Sequence, residues 1–179
     1  RHQPGTSEEA EHLRQMLALL ATAGESAFAR DHYEPGHFTA SAFVLSPDGD
    51  ALLLIHHQKL RRWLQPGGHV DPGDVDLVAA AQREVAEETG LSLCAPLDAP
   101  APLDVDVHVI PALPARGERA AQPSHRHYDV RYLFRAESSH LRAGDDAEAA
   151  RWVPFDAVSA HESDASVLRA VRRIVARGE

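Results

Sequence analysis

Residues 67–91 read GGHVDPGDVDLVAAAQREVAEETGL, and the spacing of acids in this stretch directs the reading of the whole chain. Asp76 to Thr89 has helical composition and is followed by Gly90, a residue suited to a helix stop. On such a helix Glu84, Glu87 and Glu88 stand at i, i+3 and i+4, so their carboxylates converge on one face. Like charges so placed repel, by about 0.2–0.5 kcal/mol per exposed pair, unless a cation lies between them. Taken alone, the triple also describes a solvated acidic face. As a ligand set, carboxylate oxygens suit a hard ion such as Mg²⁺ or Mn²⁺, and an ion that keeps several waters can accept a phosphate-bearing ligand. Arg83 stands beside the acids and can neutralise part of their charge, while Leu77, Ala80, Ala81 and Val85 form an apolar face able to dock on a sheet.

The flanking sequence supplies that sheet. His37 to Leu45 (HFTASAFVL) and Ala51 to His56 (ALLLIH) are rich in strand formers and are joined by the turn Ser46-Pro47-Asp48-Gly49, so they predict a hairpin. Leu103 to Ile110 and His127 to Ala136 alternate apolar and polar residues with period two, Glu148 to Phe155 reads as a last strand, and Leu91 to Ala95 as a short one. Pro111 to Ser124 reads as a long exposed loop placed to meet a ligand. Helices are expected at both ends. Near the start, Leu13, Met16, Leu17, Leu20 and Ala21 share a face, behind a Thr6/Glu9 capping box and before Gly24. Near the end, Val167, Leu168, Val171, Ile174 and Val175 form the apolar face of a helix over Asp164 to Ala176. Mixed strands and few helices indicate one α/β or α+β layered structure.

The chain has 179 residues, enough for one core without disulfides or a structural metal. Eighteen Lys and Arg against 27 Asp and Glu leave a formal charge of −9, which argues against a duplex nucleic-acid partner. The single cysteine, Cys94, cannot form an internal disulfide, reads as a small buried hydrophobe and fits a reducing, cytoplasmic setting. No apolar run approaches the length of a membrane span. The sequence begins at Arg1 rather than Met, which leaves its natural start and any removed targeting segment open.

The 67–91 segment resembles the Nudix box, the signature G-x5-E-x7-R-E-U-x-E-E-x-G-U with U aliphatic. With Gly68 as the first position, Arg83, Glu84, Val85, Glu87, Glu88, Gly90 and Leu91 fill the second half without a gap. The departure is at the front: Asp74 stands where the first Glu belongs, and eight residues rather than seven separate it from Arg83. One inserted residue before the helix accounts for this, with Asp74 or Asp76 in place of that acid. The WLQPGG approach to the box, the hairpin before it and the late RWVPF strand followed by a helix are also similar to the family's order, over about residues 37–177.

The resemblance implies a Nudix-type α/β/α sandwich around a mixed sheet over 37–179, with residues 1–36 an added N-terminal helical extension. It implies Glu84, Glu87 and Glu88 as ligands of Mg²⁺ or Mn²⁺, with a backbone carbonyl from Gly68, Arg83 orienting the glutamates, and Gly67 and Gly68 shaping the loop. The implied reaction is hydrolysis of a phosphoanhydride in a nucleoside diphosphate linked to another moiety, its general base unassigned. The partner would then be a small nucleotide-derived diphosphate, not a membrane, and exposed faces of the first helix could pair two copies as a homodimer. The alternative is a catalytically silent Nudix-like module that senses a nucleotide, against which the complete glutamate set counts. An isomerase similar to isopentenyl diphosphate isomerase would use a cysteine upstream of the box, and Cys94 lies after it.

Twelve histidines exceed ordinary composition. His125, His127 and Asp129 form an H-x-H-x-D row on one strand face, able to bind phosphate, base or a second metal, or else simply to face solvent. His69 lies inside the box, where it and Asp74 are candidates for substrate contact. His108 stands alone on its strand, His56 and His57 end the hairpin, and His2, His12, His140 and His161 read as surface residues. Gln58 to Arg62 (QKLRR) is the densest basic patch, readable as a phosphate contact or as a solvated loop, with Arg116 and Arg119 in the later loop. Trp63 reads first as core packing and second as a stacking surface.

Overall fold

Along the first strand, Phe38, Ala40, Ala42 and Val44 alternate with His37, Thr39, Ser41 and Phe43, and both rows are buried. This is the pattern of a central strand covered on both faces. The computed structural model describes residues 2–57, 61–93, 95–115, 117, 120–142, 147–161 and 165–178. The central strand, β1 (Gly36–Leu45), runs parallel to β6 (His125–Arg135), in register from Gly36 opposite Arg126 to Leu45 opposite Arg135. Around this pair the sheet has the order β3 (Arg62–Leu64), β2 (Ala51–His57), β1, β6, β5 (Asp104–Ile110). Two further strands leave that path. β4 (Gly67–His69) pairs antiparallel with β1 from Thr39 to Ser41, and β7 (Ala147–Pro154) pairs antiparallel with β2. β1 is therefore bordered by β2 at its C-terminal end and by β4 nearer its start.

The two rows of β1 build two cores. Its even-numbered residues join Leu53, Tyr128, Val130, Tyr132 and Phe134 beneath α1 (Ser7–Ala23) and α2 (Leu77–Thr89), whose Met16, Leu19, Ala80, Ala81 and Val85 are buried. On the other face Phe43, Leu45, Leu52, Leu54, Leu133 and Val153 pack against Val167, Ala170, Val171 and Ile174 of α3 (Ala165–Ala176). The result is the mixed α/β/α layering, with the N-terminal helix in place. Trp63 packs on this second core, with the Arg151 guanidinium 5.0 Å above its ring. No helix among the described residues is long and apolar enough to cross a membrane.

Five sequence expectations change. α1 buries Glu9, Met16 and Leu19, whereas Leu17 and Leu20 are exposed. The helix lies along the β5 edge, and its rotation is set there by His12 and Glu9 as well as by apolar area: His12 Nδ1 is 3.6 Å from Asp106, and Glu9 accepts from His2 and Arg173 at 2.7 Å each. For the same reason His2 and His12 are largely buried rather than surface residues. Thr6 caps the helix through Glu9 N–H at 3.1 Å, but the Glu9 carboxylate turns away to these partners. Leu91 to Leu93 is not a strand, because Gln82 Nε2 donates to the Leu93 carbonyl at 3.0 Å and ties the segment to α2. The long loop after β5 continues the hairpin: Leu113 and Gln122 exchange two backbone hydrogen bonds of 2.9 Å. Cys94, Lys59, Arg116 and Arg119 lie outside the described residues, as does the side chain of His161.

Three elements are clamped by buried charge. Arg131 on β6 meets Asp129 at 2.7 Å and Asp104 and Asp106 of β5 at 3.2 Å each. Arg169 of α3 reaches the same Asp104 and Asp106 at 2.9 Å each. Removing one partner of such a group leaves the others charged and unpaired in a low-dielectric interior. Arg131→Met is expected to lower stability by about 3–5 kcal/mol, read from the shift in denaturant midpoint at unchanged slope.

Candidate active site

The loop that leads into α2 is shaped by its own acids. The Asp71 N–H donates to Asp74 Oδ2 at 2.8 Å, and Asp74 N–H returns to the Asp71 carbonyl at 2.9 Å. Asp76 is the N-cap, accepting from Ala79 N–H at 2.8 Å, and Gly90 ends the helix in the left-handed region at φ 72°. The two candidate acids at the front of the segment thus have different tasks: Asp76 caps the helix, and Asp74 faces Arg83.

Arg83 is the hub. Its Nε and Nη2 donate to the two oxygens of Asp74 at 3.1 Å each, and Nη2 also donates to the His69 carbonyl at 2.8 Å. Nη1 donates to Glu84 at 2.9 Å and Glu87 at 3.1 Å. Burial would raise the Asp74 carboxyl, but the Arg83 bonds and the Asp71 N–H hold it below its usual range. Burial pushes the Glu84 carboxyl up and the nearby charges of Glu87 and Asp71 push it further, against the pull of Arg83.

β4 brings backbone onto these acids. Gly67 has φ 158°, and a Cβ there would fall 2.3 Å from the Ser41 Cβ, so only glycine lets β4 lie flat on β1. In that position Gly67 N–H donates to Glu88 Oε2 at 3.1 Å. A Cβ on Gly68 would sit 2.5 Å from the Glu84 carboxylate. Glu88 is buried and Glu87 exposed, so the acids run from the interior to the solvent. Asp71, Asp74, Glu84 and Glu87 all lie within 4 Å of Arg83, and Glu88 stands beside them on the same helix. An all-oxygen set with this excess negative charge fits a hard divalent ion.

Residues 35–171 match the family model described as the NUDIX domain. The chain belongs to the NUDIX family. Solved structures with the same fold include a NUDIX-family hydrolase from Clostridium perfringens, 22% identical, with a TM-score of 0.55 over 79% of this chain and 97% of that one. The NUDIX domain of NrtR from Shewanella oneidensis, complexed with ADP ribose, is 18% identical, with a TM-score of 0.57 over 91% of this chain and 98% of that one. The Ap4A hydrolase of C. elegans, in a binary complex, is 17% identical, with a TM-score of 0.52 over 78% of this chain and 96% of that one. No curated protein matches the chain in sequence.

Next to the NUDIX box, the sheet carries a patch of imidazoles. The register sets His127 of β6 beside His37 of β1 and opposite His108 of β5, and sets His69 of β4 opposite Thr39. The His37 ring centroid lies 4.9 Å from that of His127 and 5.1 Å from those of His69 and His125. Tyr33 closes on His125 edge-on at 4.9 Å. The H-x-H-x-D row does share one face, but Asp129 is engaged there by Thr39 at 3.1 Å, Ser41 at 2.8 Å and Arg131 at 2.7 Å.

His37 is the residue that sequence reasoning missed. The available signal was the polar half of the β1 alternation, His37, Thr39 and Ser41, in a strand otherwise read only for its apolar half. Desolvation, followed by repulsion among the neighbouring imidazoles, lowers the pKa of His69 to about 4 and of His127 to about 2, and burial lowers that of His37.

Below pH 6.5 an unfolded chain protonates these imidazoles while the folded chain does not, so folding stability falls as pH falls from about 6.5 towards 4. The expected slope is up to about 1.4 kcal/mol per pH unit for each neutral histidine. Denaturation midpoints of chelator-treated protein between pH 7.5 and 5 check this, and His127→Gln is expected to flatten the slope.

Proposed function

We propose that this NUDIX-family hydrolase, of the pyrophosphatase type, cleaves a phosphoanhydride bond in a nucleoside diphosphate linked to another moiety, with Mg²⁺ or Mn²⁺. The observation that carries the reading is the complete set Glu84, Glu87 and Glu88 set against the Gly67-Gly68 backbone, with Arg83 donating to Glu84 and Glu87. In this reading the three glutamates, with the Gly68 carbonyl, hold the ion. When bound, the ion would offset the charge of the diphosphate and lower the pKa of water beside it.

The chain's own groups fix the geometry. Arg83 holds Glu84 and Glu87 on one side and Asp74 on the other, and so ties the box loop to α2. Gly67 N–H keeps the buried Glu88 oriented. Water adds to one phosphorus, the bridging P–O bond breaks, and two phosphate products and a proton are released. A cleft of about 540 Å³ opens where the box loop meets the N-terminal segment, lined by Phe28, Arg30, Tyr33, Val70, Asp71 and Pro72. In our reading it receives the non-phosphate part of the substrate, with Tyr33 and Arg30 offering an aromatic face and a cation. His69, Asp74, His125, His127 and Asp129 are assigned here to the substrate side of the site, Asp74 through its hold on Arg83 and Asp129 through its hold on Thr39, Ser41 and Arg131.

Ap4A and ADP ribose, the compounds associated with two of the solved relatives, both contain phosphoanhydrides, and both belong in the test. Incubation with nucleoside triphosphates, nucleotide sugars, ADP ribose and dinucleoside polyphosphates is expected to give turnover of one class with Mg²⁺ or Mn²⁺ and none with chelator. Glu84→Gln, Glu87→Gln and Glu88→Gln are each expected to lower kcat/KM by about 100-fold or more. Nucleotide binding by calorimetry without cleavage of any compound would instead establish the sensing module.

A further inference from the structure

The imidazole patch contains a feature that assigning His69 and His127 to the substrate side does not explain. One ring nitrogen from each of His37, His69 and His127 lies within 4.8 Å of the other two. His37 is 0% exposed, and its Nδ1 is 3.1 Å from the His32 carbonyl. A carbonyl can only accept, so Nδ1 carries the hydrogen and Nε2 carries a bare lone pair. That Nε2, and Nε2 of His127, are buried without a hydrogen-bond partner. A buried polar nitrogen left unpaired costs about 1–3 kcal/mol, and two of them in one cluster of imidazoles mark a missing partner.

We propose that His37, His69 and His127 form a three-nitrogen site for a divalent transition metal, with Zn²⁺ as the best fit, distinct from the carboxylate site of the box. Neutral imidazole favours Zn²⁺, Ni²⁺, Cu²⁺ or Fe²⁺ over Mg²⁺, whereas the glutamate set has the opposite preference, so ligand chemistry keeps the two ions apart. Tetrahedral ligation with Zn–N near 2.0–2.1 Å needs nitrogens roughly 3.3 Å apart. Binding then draws the nitrogens, now within 4.8 Å of one another, together by up to about 1.5 Å. The His32 carbonyl already supplies the outer hydrogen bond that holds a ligating imidazole in the correct tautomer. Three neutral ligands leave the ion's charge uncompensated, so its remaining position takes water or an anionic oxygen. His69 joins the two sites: its backbone carbonyl accepts from Arg83 while its ring belongs to the cluster.

The test uses the full chain and does not read turnover. Zn²⁺ is titrated against a chromophoric chelator in excess Mg²⁺, and Co²⁺ absorption is recorded on the unmodified protein. One ion per chain is expected, with the intense visible bands of a low-coordinate Co²⁺ centre that Zn²⁺ abolishes. His127→Gln is expected to weaken Zn²⁺ binding by about 100-fold or more, since loss of an outer-shell partner alone costs 10–100-fold. Glu87→Gln is expected to leave it unchanged. A Co²⁺ spectrum like that of the hydrated ion overturns the proposal without any variant having to fold. So does Zn²⁺ binding that survives in His127→Gln and is lost in Glu87→Gln, which would place the ion at the box. Neither result bears on Mg²⁺-dependent hydrolysis.

Discussion

The parallel pairing of β1 with β6 is the constraint on which the molecule depends. Strands far apart in sequence meet in register from Gly36 to Leu45, and each has alternating rows buried on both faces. A slip of one residue would turn Phe38, Ala40 and Ala42 away from α2 and carry His37, Thr39 and Ser41 into its apolar contact. Gly36 helps set the register, because its φ is 152° and a Cβ would fall 1.9 Å from the Arg126 carbonyl oxygen. The crossover between the two strands contains β4 and α2, so fixing the pair also brings the glycines and the glutamates of the box together at the edge of β1.

Polar residues are buried here at considerable cost, and the pattern shows where that cost is met. At the β5 side, Arg131 and Arg169 answer Asp104, Asp106 and Asp129, and the outcome is a closed ionic group linking β5, β6 and α3. At the β4 side, Arg83 answers only part of the acidic set. In the imidazole patch between them, two buried nitrogens have no answer at all. The contrast between the closed ionic group and the two unpartnered ring nitrogens separates polar groups used by the fold from polar groups available to a ligand.

Much of this was legible in the chain itself. The i, i+3, i+4 glutamates beside Arg83, the Gly67-Gly68 pair, the hairpin and the terminal helices follow from periodicity, caps and turn residues, all of which act over a few neighbours. The choice between Asp74 and Asp76 was not legible, since either acid suits the start of a helix. In the structure the two differ in their partners: Ala79 N–H donates to Asp76, and Arg83 reaches Asp74. Leu17 and Leu20 were misread as core for a related reason: a helical stripe states which residues share a face, not which face an ion pair elsewhere will turn inward.

The sequence by itself determined the family, the helix that carries the carboxylates and most of the strands, because those signals are local and repeat with the period of the backbone. Only the tertiary structure decided that His37, His69 and His127 meet, that Asp129 is consumed by Thr39, Ser41 and Arg131, and that His2 and His12 are covered. Each of these depends on strand register or helix docking across long sequence separations. There, side-chain identity gives no indication of a neighbour until the backbone has closed the distance.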